Sequence, residues 1–326
     1  MKTPHGSLPG KNVPGSGGGD FNWRRNMKNK KLKKAIQYEI FLLPAFIAFT
    51  LFTIIPLVKT IMYSVTDFNG ISHEYNFVGL KNFIGVFKDQ MMRHSLFNTI
   101  FYTFCTMILI NLLAIPLAVF LDRNTKLKSV ERAVFFFPSI VSGLLLGYIW
   151  GYILSPMKTG ALNTLLAVFG AGPIGFTATE WGAKISIILV AVWTSTGWYA
   201  TIYLAYLQAI PNEYYEAAAI DGASSIQQFG KITLPLVFKA TMPNLVMSMA
   251  ANFNGFGLIY FLTQGGPINT EMQFAGDTDI LISWIYKLTL NQQMYDIAAV
   301  MSVLLFIFVG VVSLWNFRRT TSFKEL

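Results

Sequence analysis

Two sets of residues in this sequence have types and spacing that could do chemistry. Asn244, Ser248 and Asn252 recur at i, i+4 and i+8 within a long apolar stretch, which places them on one side of a helix. Thr194, Trp198 and Thr201 form a comparable stripe in the preceding apolar stretch. In a bilayer such groups cost free energy unless they find partners or water. They either bond one helix to the next, worth roughly 0.6–2 kcal/mol per contact, or face a polar solute crossing the membrane. The second set lies in a short polar interruption, Pro211–Pro235, and contains Glu213, Tyr215, Glu216, Ala217, Ala218, Asp221, Gly222 and Ala223. It is too short and too polar to span a bilayer. No other chemistry stands out. His5, His73 and His94 are scattered, so they form no metal-ligand spacing, and Cys105 is alone. No nucleophile–base pair rises above chance, so no catalytic residue is assigned.

The elements that must position these residues follow from composition. The chain has 326 residues, of which 53% are hydrophobic, 15% aromatic and only 13% charged, with a mean hydropathy of +0.48. Soluble domains carry about twice that charge fraction, so the bilayer is the solvent. The net charge of +9 does not indicate nucleic acid, because the basic residues sit in tails and short loops and not on a stripe interleaved with aromatics. Residues 1–35 read as a disordered tail, Gly-, Pro- and Ser-rich and then basic from Arg24 to Lys34. Residues 36–326 read as an all-α integral membrane domain of six helices. The apolar segments are Ile40–Met62, Phe97–Leu121, Ala133–Leu154, Ile185–Ile210, Phe238–Leu262 and Ile297–Phe317, each near the roughly 20 residues a spanning helix needs. The first is longer than a signal-peptide core and lacks a small-x-small cleavage site, so it is read as an uncleaved helix.

With the N-terminus inside, 18 of the 25 Lys and Arg residues fall on the cytoplasmic side. That asymmetry places both termini and the polar interruption in the cytoplasm. Three outer loops then run Tyr63–Leu96, Ser155–Lys184 and Thr263–Asp296. In the third, Ile280, Leu281, Trp284, Ile285 and Leu288 share one helical face, expected as an interfacial helix or a lid on the bundle.

The interruption reads locally as a capped helical knob. Pro211 ends the fourth membrane helix, and Asn212 caps a new one. Glu213 and Glu216 lie in its first turn, where the helix dipole favours acid. Ala217, Ala218 and Ala219 favour helix, and Gly222 stops it. Ser224 or Ser225 caps a second short helix ending near Gly230, and Pro235 suits the first turn of the fifth membrane helix. On local physics alone an ordinary capped surface loop is an equally good account. Two glycine motifs are set aside. Gly170–Gly175 matches G-x-G-x-x-G but follows no strand, and Gly6–Lys11 is a P-loop of the wrong spacing.

Glu216-Ala217-Ala218, then Gly222, then Ile232-x-Leu234-Pro235 matches the EAA–G–I–LP signature without a gap. Asp221-Gly222-Ala223 and Phe229 fit its sugar-importer form. Phe77-Val78-Gly79-Leu80-x-Asn82-Phe83, and Asn252–Tyr260 followed by Leu262–Pro267, are similar to further stretches of the same proteins. From about residue 36 onward the chain resembles the maltose-type permeases, membrane subunits of bacterial ABC importers that depend on a binding protein. The resemblance implies the ABC type I importer permease fold in the bacterial inner membrane. It makes the knob the coupling helix for an ATP-hydrolysing subunit, through Glu213, Tyr215, Glu216, Ala217, Ala218, Asp221, Gly222 and Ala223. The positions matching the family's sugar contacts are Thr194, Ser195, Trp198, Asn252, Gly255 and Gly257. Amides and hydroxyls suit sugar hydroxyls, and an indole suits the C–H face of the ring. Gly255 and Gly257 replace bulkier side chains of the maltose form, leaving more room and arguing against simple maltose.

The implied partners are a second homologous permease, two ABC ATPase subunits, an extracellular or periplasmic solute-binding protein, the oligosaccharide and the bilayer. ATP and magnesium would be held by the ATPase subunits, with no cofactor or metal on this chain. A maltodextrin-like glucan is the favoured substrate, and an acidic uronate oligosaccharide is the alternative. A secondary carrier without an ATPase is the alternative class. It would need an intramembrane charge or an inverted repeat, and no Asp, Glu, Lys, Arg or His lies mid-segment. A membrane enzyme would need a polar catalytic cluster, and none is evident.

Overall fold

The computed structural model describes residues 40–322, apart from His73, Asn124, Thr125, Asn254 and 269–275. The expected tail, 1–35, lies outside the described residues. Two compact units divide between Lys59 and Thr60. In the first, the described residues belong to helix α1, Ile40–Ser64, which runs on across the division. It contains a π-turn at Thr50–Ile54, closed by the Ile55 N–H on the Thr50 carbonyl. The next residue is Pro56. Proline has no N–H and crowds the carbonyl four residues back, and a wider turn just before it relieves both.

The second unit holds α2 (Lys81–Lys88), α3 (Gln90–Asp122), α4 (Lys128–Ile140), α5 (Gly143–Ile153), α6 (Ala161–Val168) and α7 (Glu180–Gln208). After these come α8 (Asn212–Ile220), α9 (Ser225–Gln228), α10 (Leu234–Phe253), α11 (Phe256–Thr263), α12 (Leu281–Leu290) and α13 (Tyr295–Ser322). Among the described residues the β-type pairings are isolated bridges, Thr66 to Phe77 and Ile268 to Gly276. Among the described residues four helices are long and apolar enough to cross a membrane alone, and up to six spans form if each bent pair is one.

Two expected spans are not single straight helices. Ala133–Leu154 is split into α4 and α5, which meet at 93°. Val141 and Ser142 between them are extended, with ψ of 136° and 133°. Phe238–Leu262 ends as α10 at Phe253 and restarts as α11 at Phe256. Both segments are apolar enough on average to be read as one span, Phe238–Leu262 despite Asn244, Ser248 and Asn252. Hydropathy records how much chain the bilayer accepts and says nothing about its direction.

The core forms where small residues let backbones approach. Ala114 and Ala118 of α3 and Ala200 and Tyr203 of α7 are fully buried in one cluster. At Gly197 of α7 an added Cβ would fall on the Phe135 carbonyl of α4. Gly143, Gly147 and Gly151 of α5 face α11, where a Cβ on Gly147 would lie 2.8 Å from Phe261 and 3.0 Å from the Leu258 carbonyl. Without a hydrophobic drive between helices in lipid, such contacts hold spans together by close packing.

A second core gathers Val86, Met92, Leu281, Trp284, Leu288, Val300 and Met301, from α2, α3, α12 and α13. The helix α12 of the expected third outer loop therefore packs on α2, α3 and α13. Its anchor is Asp279, whose side chain is fully buried. Asp279 accepts from Lys287 Nζ at 2.6 Å, Ser283 Oγ at 2.9 Å and the Gly276 N–H at 2.8 Å. Asn98 of α3 donates to the carbonyls of Asp277 and Asp279, and Thr99 Oγ1 accepts the Leu281 N–H. Replacing Asp279 by Asn leaves the Lys287 ammonium without its counter-charge. Unfolding measured in detergent is expected to show a loss of about 3–5 kcal/mol.

The chain that follows α1 explains the Phe77–Phe83 stretch. Gly79 has φ of +62°, and Asn82 Nδ2 donates to the Thr66 carbonyl at 2.8 Å, closing the loop on the end of α1. Asn76 donates to the Asp67 carboxylate from its backbone at 2.5 Å, which holds Asp67 below the usual carboxylate range.

Candidate functional site

The knob begins differently from its expected form. Pro211, not Asn212, occupies the N-cap position of α8, and Asn212 is its first helical residue. The proline ring leaves no side-chain oxygen to cap with, and its φ of −60° with ψ of 134° delivers the chain into the helix. The stop is as expected. Gly222 has φ of +79°. The Ala223 N–H reaches the Ala218 carbonyl at 2.9 Å and the Gly222 N–H reaches that of Ala219 at 3.1 Å, a Schellman motif. Ser224 then caps α9 in a reciprocal box with Gln227. The second helix does not end near Gly230. A π-turn, Phe229–Thr233, carries it into α10, closed by the Leu234 N–H on the Phe229 carbonyl just before Pro235. A proline again follows a widened turn, as at Pro56.

Glu213, Glu216, Ala217, Asp221 and Gly222 are exposed, while Ala218 and Ala223 are half-buried. Tyr215 turns inward, its hydroxyl 2.9 Å from Thr233 Oγ1, and so braces the knob against the next membrane helix. The outer face also carries Tyr214, Ile220 and Ile226, which are 57%, 88% and 84% exposed. Sequence reasoning missed these three. The signal was large apolar residues inside a polar segment, with no amphipathic period to bury them. The knob thus exposes apolar and acidic side chains together.

The expected path residues fall into groups with separate neighbours. On α7, Thr194 and Ser195 are half-buried, and the Thr194 hydroxyl bonds back to the Val190 carbonyl at 2.8 Å. Trp198 is 46% exposed and stacks on Phe136 of α4, with ring centroids 5.7 Å apart. Asn252 is buried and donates to Thr106 Oγ1 of α3 at 2.8 Å, which is a helix–helix bond. Gly255 lies beside Tyr102, where a Cβ would come 3.5 Å from the ring. Gly257 packs on α5, where a Cβ would come 3.3 Å from the Leu144 nitrogen. The space left by that missing side chain is filled by the backbone of α5 and is not open to a solute.

The polar stripe of α3 was also missed. Asn98, Thr99, Thr103, Thr106 and Asn111 are buried, and Asn111 Oδ1 accepts the Tyr203 hydroxyl at 2.6 Å. Their i, i+4 and i+7 spacing was legible, but the length of the apolar run masked it. Among the described residues no group of three or more His, Cys, Asp or Glu is arranged to hold a metal ion.

Residues 82–322 match the family described as the binding-protein-dependent transport system inner membrane component. The chain belongs to that family. As a binding-protein-dependent permease it has relatives of the same kind. The galactooligosaccharides transport system permease of Bacillus subtilis (strain 168) is 34% identical over 256 residues, covering 77% of this chain and 61% of its own length. This chain thus spans less than two thirds of that relative. The probable starch degradation products transport system permease of Thermoanaerobacterium thermosulfurigenes is 31% identical over 288 residues, covering 88% and 94%. A crystal structure of a bacterial ABC transporter involved in the import of the acidic polysaccharide alginate shares the fold. Its TM-score is 0.76 at 22% identity, over 90% of this chain and 98% of that one. The fold is that of an ABC importer permease, and the chain is the multi-pass membrane component of such an importer.

Proposed function

We propose that this chain forms half of the translocation path of an ATP-driven importer for neutral oligosaccharides, a maltodextrin-like glucan first among them. The observation that carries the reading is the knob at 211–235, an exposed and rigidly capped docking face inside a permease-family sequence. The two curated relatives described above are named for galactooligosaccharides and starch degradation products, both neutral. A second permease would complete the path, and two ATPase subunits carrying ATP and magnesium would grip the two knobs. A binding protein would deliver sugar to the outer loops. The excess of Lys and Arg in the termini, the α3–α4 turn and the knob supports a cytoplasmic face for all of them. ATP-driven closure would act through Glu216–Gly222 as a rigid-body switch between inward and outward access.

Thr194, Ser195 and Trp198 are the proposed sugar contacts of α7. Asn252, Gly255 and Gly257 then act by shaping the wall with α3 and α5. The test is ATPase stimulation of the reconstituted complex with its binding protein across a panel of neutral and acidic oligosaccharides. Neutral glucans are expected to stimulate, and stimulation by uronates alone would overturn the substrate assignment. In the same assay, Trp198→Ala is expected to lower sugar-dependent stimulation about tenfold, the size of a lost aromatic stacking contact.

A further inference from the structure

The C-terminal end of α3 gathers cations, and Lys128 and Arg132 reach its last carbonyls only at long distances. Arg132 of α4 reaches the Leu121 carbonyl through Nη2 at 3.5 Å, the far limit of a hydrogen bond. Its Nε is buried with no partner. Lys128 Nζ reaches the Asp122 carbonyl at 3.4 Å. Arg123 lies over the Phe120 ring at 5.8 Å. The Asp122 carboxylate accepts from Gln208 Nε2 at 3.2 Å. Residues 122–132 contain Arg123, Lys126, Lys128 and Arg132 against Asp122 and Glu131, a net charge of +2. The dipole of α3 draws cations to this end, but the last carbonyls offer them only long contacts. A buried guanidinium N–H without an acceptor is costly, so the site is incomplete as it stands.

Apolar side chains adjoin the cluster through Phe120, which Arg123 overlies. Phe120 meets Phe135 edge-on, with centroids 6.3 Å apart, and the two rings are 39% and 41% exposed. Beyond them a groove between α3, α4 and α7 is lined by Leu113, Leu117, Val134, Phe135 and Trp193. Cations at the end of a spanning helix, above an open apolar groove, match the two ends of a phospholipid. A phosphodiester offers two oxygens to the Arg132 fork, and an acyl chain fits the groove. The net positive charge favours a lipid of net negative charge over a zwitterionic one.

We propose that the first turns of α4 bind one anionic phospholipid, with its phosphate on Arg132 and Lys128 and an acyl chain in the groove past Phe120 and Phe135. This does not depend on which solute is carried. The test uses the intact transporter complex in nanodiscs of equal phosphatidylglycerol and phosphatidylcholine, extracted into mild detergent, with retained lipid read by native mass spectrometry. Retention of phosphatidylglycerol over phosphatidylcholine is expected in the unmodified complex. Lys128→Gln with Arg132→Gln should lower that enrichment, about fivefold for each cation removed. Arg132→Lys should keep most of it, and Lys81→Gln with Lys88→Gln, on exposed lysines elsewhere, should leave it unchanged. Equal retention of the two lipids by the unmodified complex overturns the proposal, and this arm needs no variant. So does release of the lipid by inorganic phosphate, which would make free phosphate the ligand. An equal loss in the Lys81 and Lys88 variant overturns it too.

Discussion

Complexes carrying Gly222→Trp are expected to assemble in the membrane and hydrolyse ATP while sugar uptake falls about 30-fold or more, the scale of a disrupted interface hot spot. The structure separates these effects. Gly222 is exposed, and no atom lies within 4 Å of a Cβ added there, so a side chain at this position starts in open space. The cost inside the permease is the left-handed backbone, φ of +79°, which a side chain tolerates at about 1–2 kcal/mol in a surface turn. Under the proposed coupling, the indole meets the partner that docks on the face of Tyr214, Ile220 and Ile226. Gly222→Ala carries the same backbone cost without the bulk, and its uptake should fall much less. Uptake and ATP hydrolysis are measured in the same vesicles. Normal uptake by the tryptophan variant would remove the knob from the mechanism.

Gly197→Ala is expected to be the most damaging single-methyl change in the bundle. Its Cβ would fall on the Phe135 carbonyl, and a backbone atom cannot swing aside as a side-chain tip can. The helices α4 and α7 must separate, at about 1–3 kcal/mol or more. The Trp198–Phe136 stack is one residue away on both helices and would be displaced with them. The expected results are a lowered unfolding midpoint in detergent and reduced uptake by whatever complex assembles. Gly310→Ala in α13 is the control. A Cβ there meets nothing within 4 Å, so no loss of stability is expected. If both variants behaved alike, close packing at Gly197 would not be what holds α4 on α7.

These two glycines show how far the sequence could be read. Gly222 was legible as a helix stop because its reason is local: a Cβ is disfavoured at positive φ whatever surrounds it. Gly197 carried no such mark, because its reason is a carbonyl 62 positions away in the chain. Pro211 is an intermediate case. Its rigidity marks a boundary, but the choice between Pro211 and Asn212 as the cap depended on which residue the chain turned at.

By itself, the sequence determined the solvent, the number of apolar segments and the capped knob with its family signature. Run length, composition and cap chemistry act over one or two turns, and each can be read without knowing its neighbours. The tertiary structure decided where the polar side chains go and which way the apolar chain runs. Asn252 could have lined a path, yet its amide is spent on Thr106, because α10 lies against α3 there. Gly257 could have left space for a solute, yet the α5 backbone fills it. Ala133–Leu154 reads as one span, yet the chain turns by 93° at Val141–Ser142, where α5 packs on α11 and α4 on α7. Each outcome turns on a partner distant in sequence, and a buried polar group or a missing side chain takes its meaning from what packs against it.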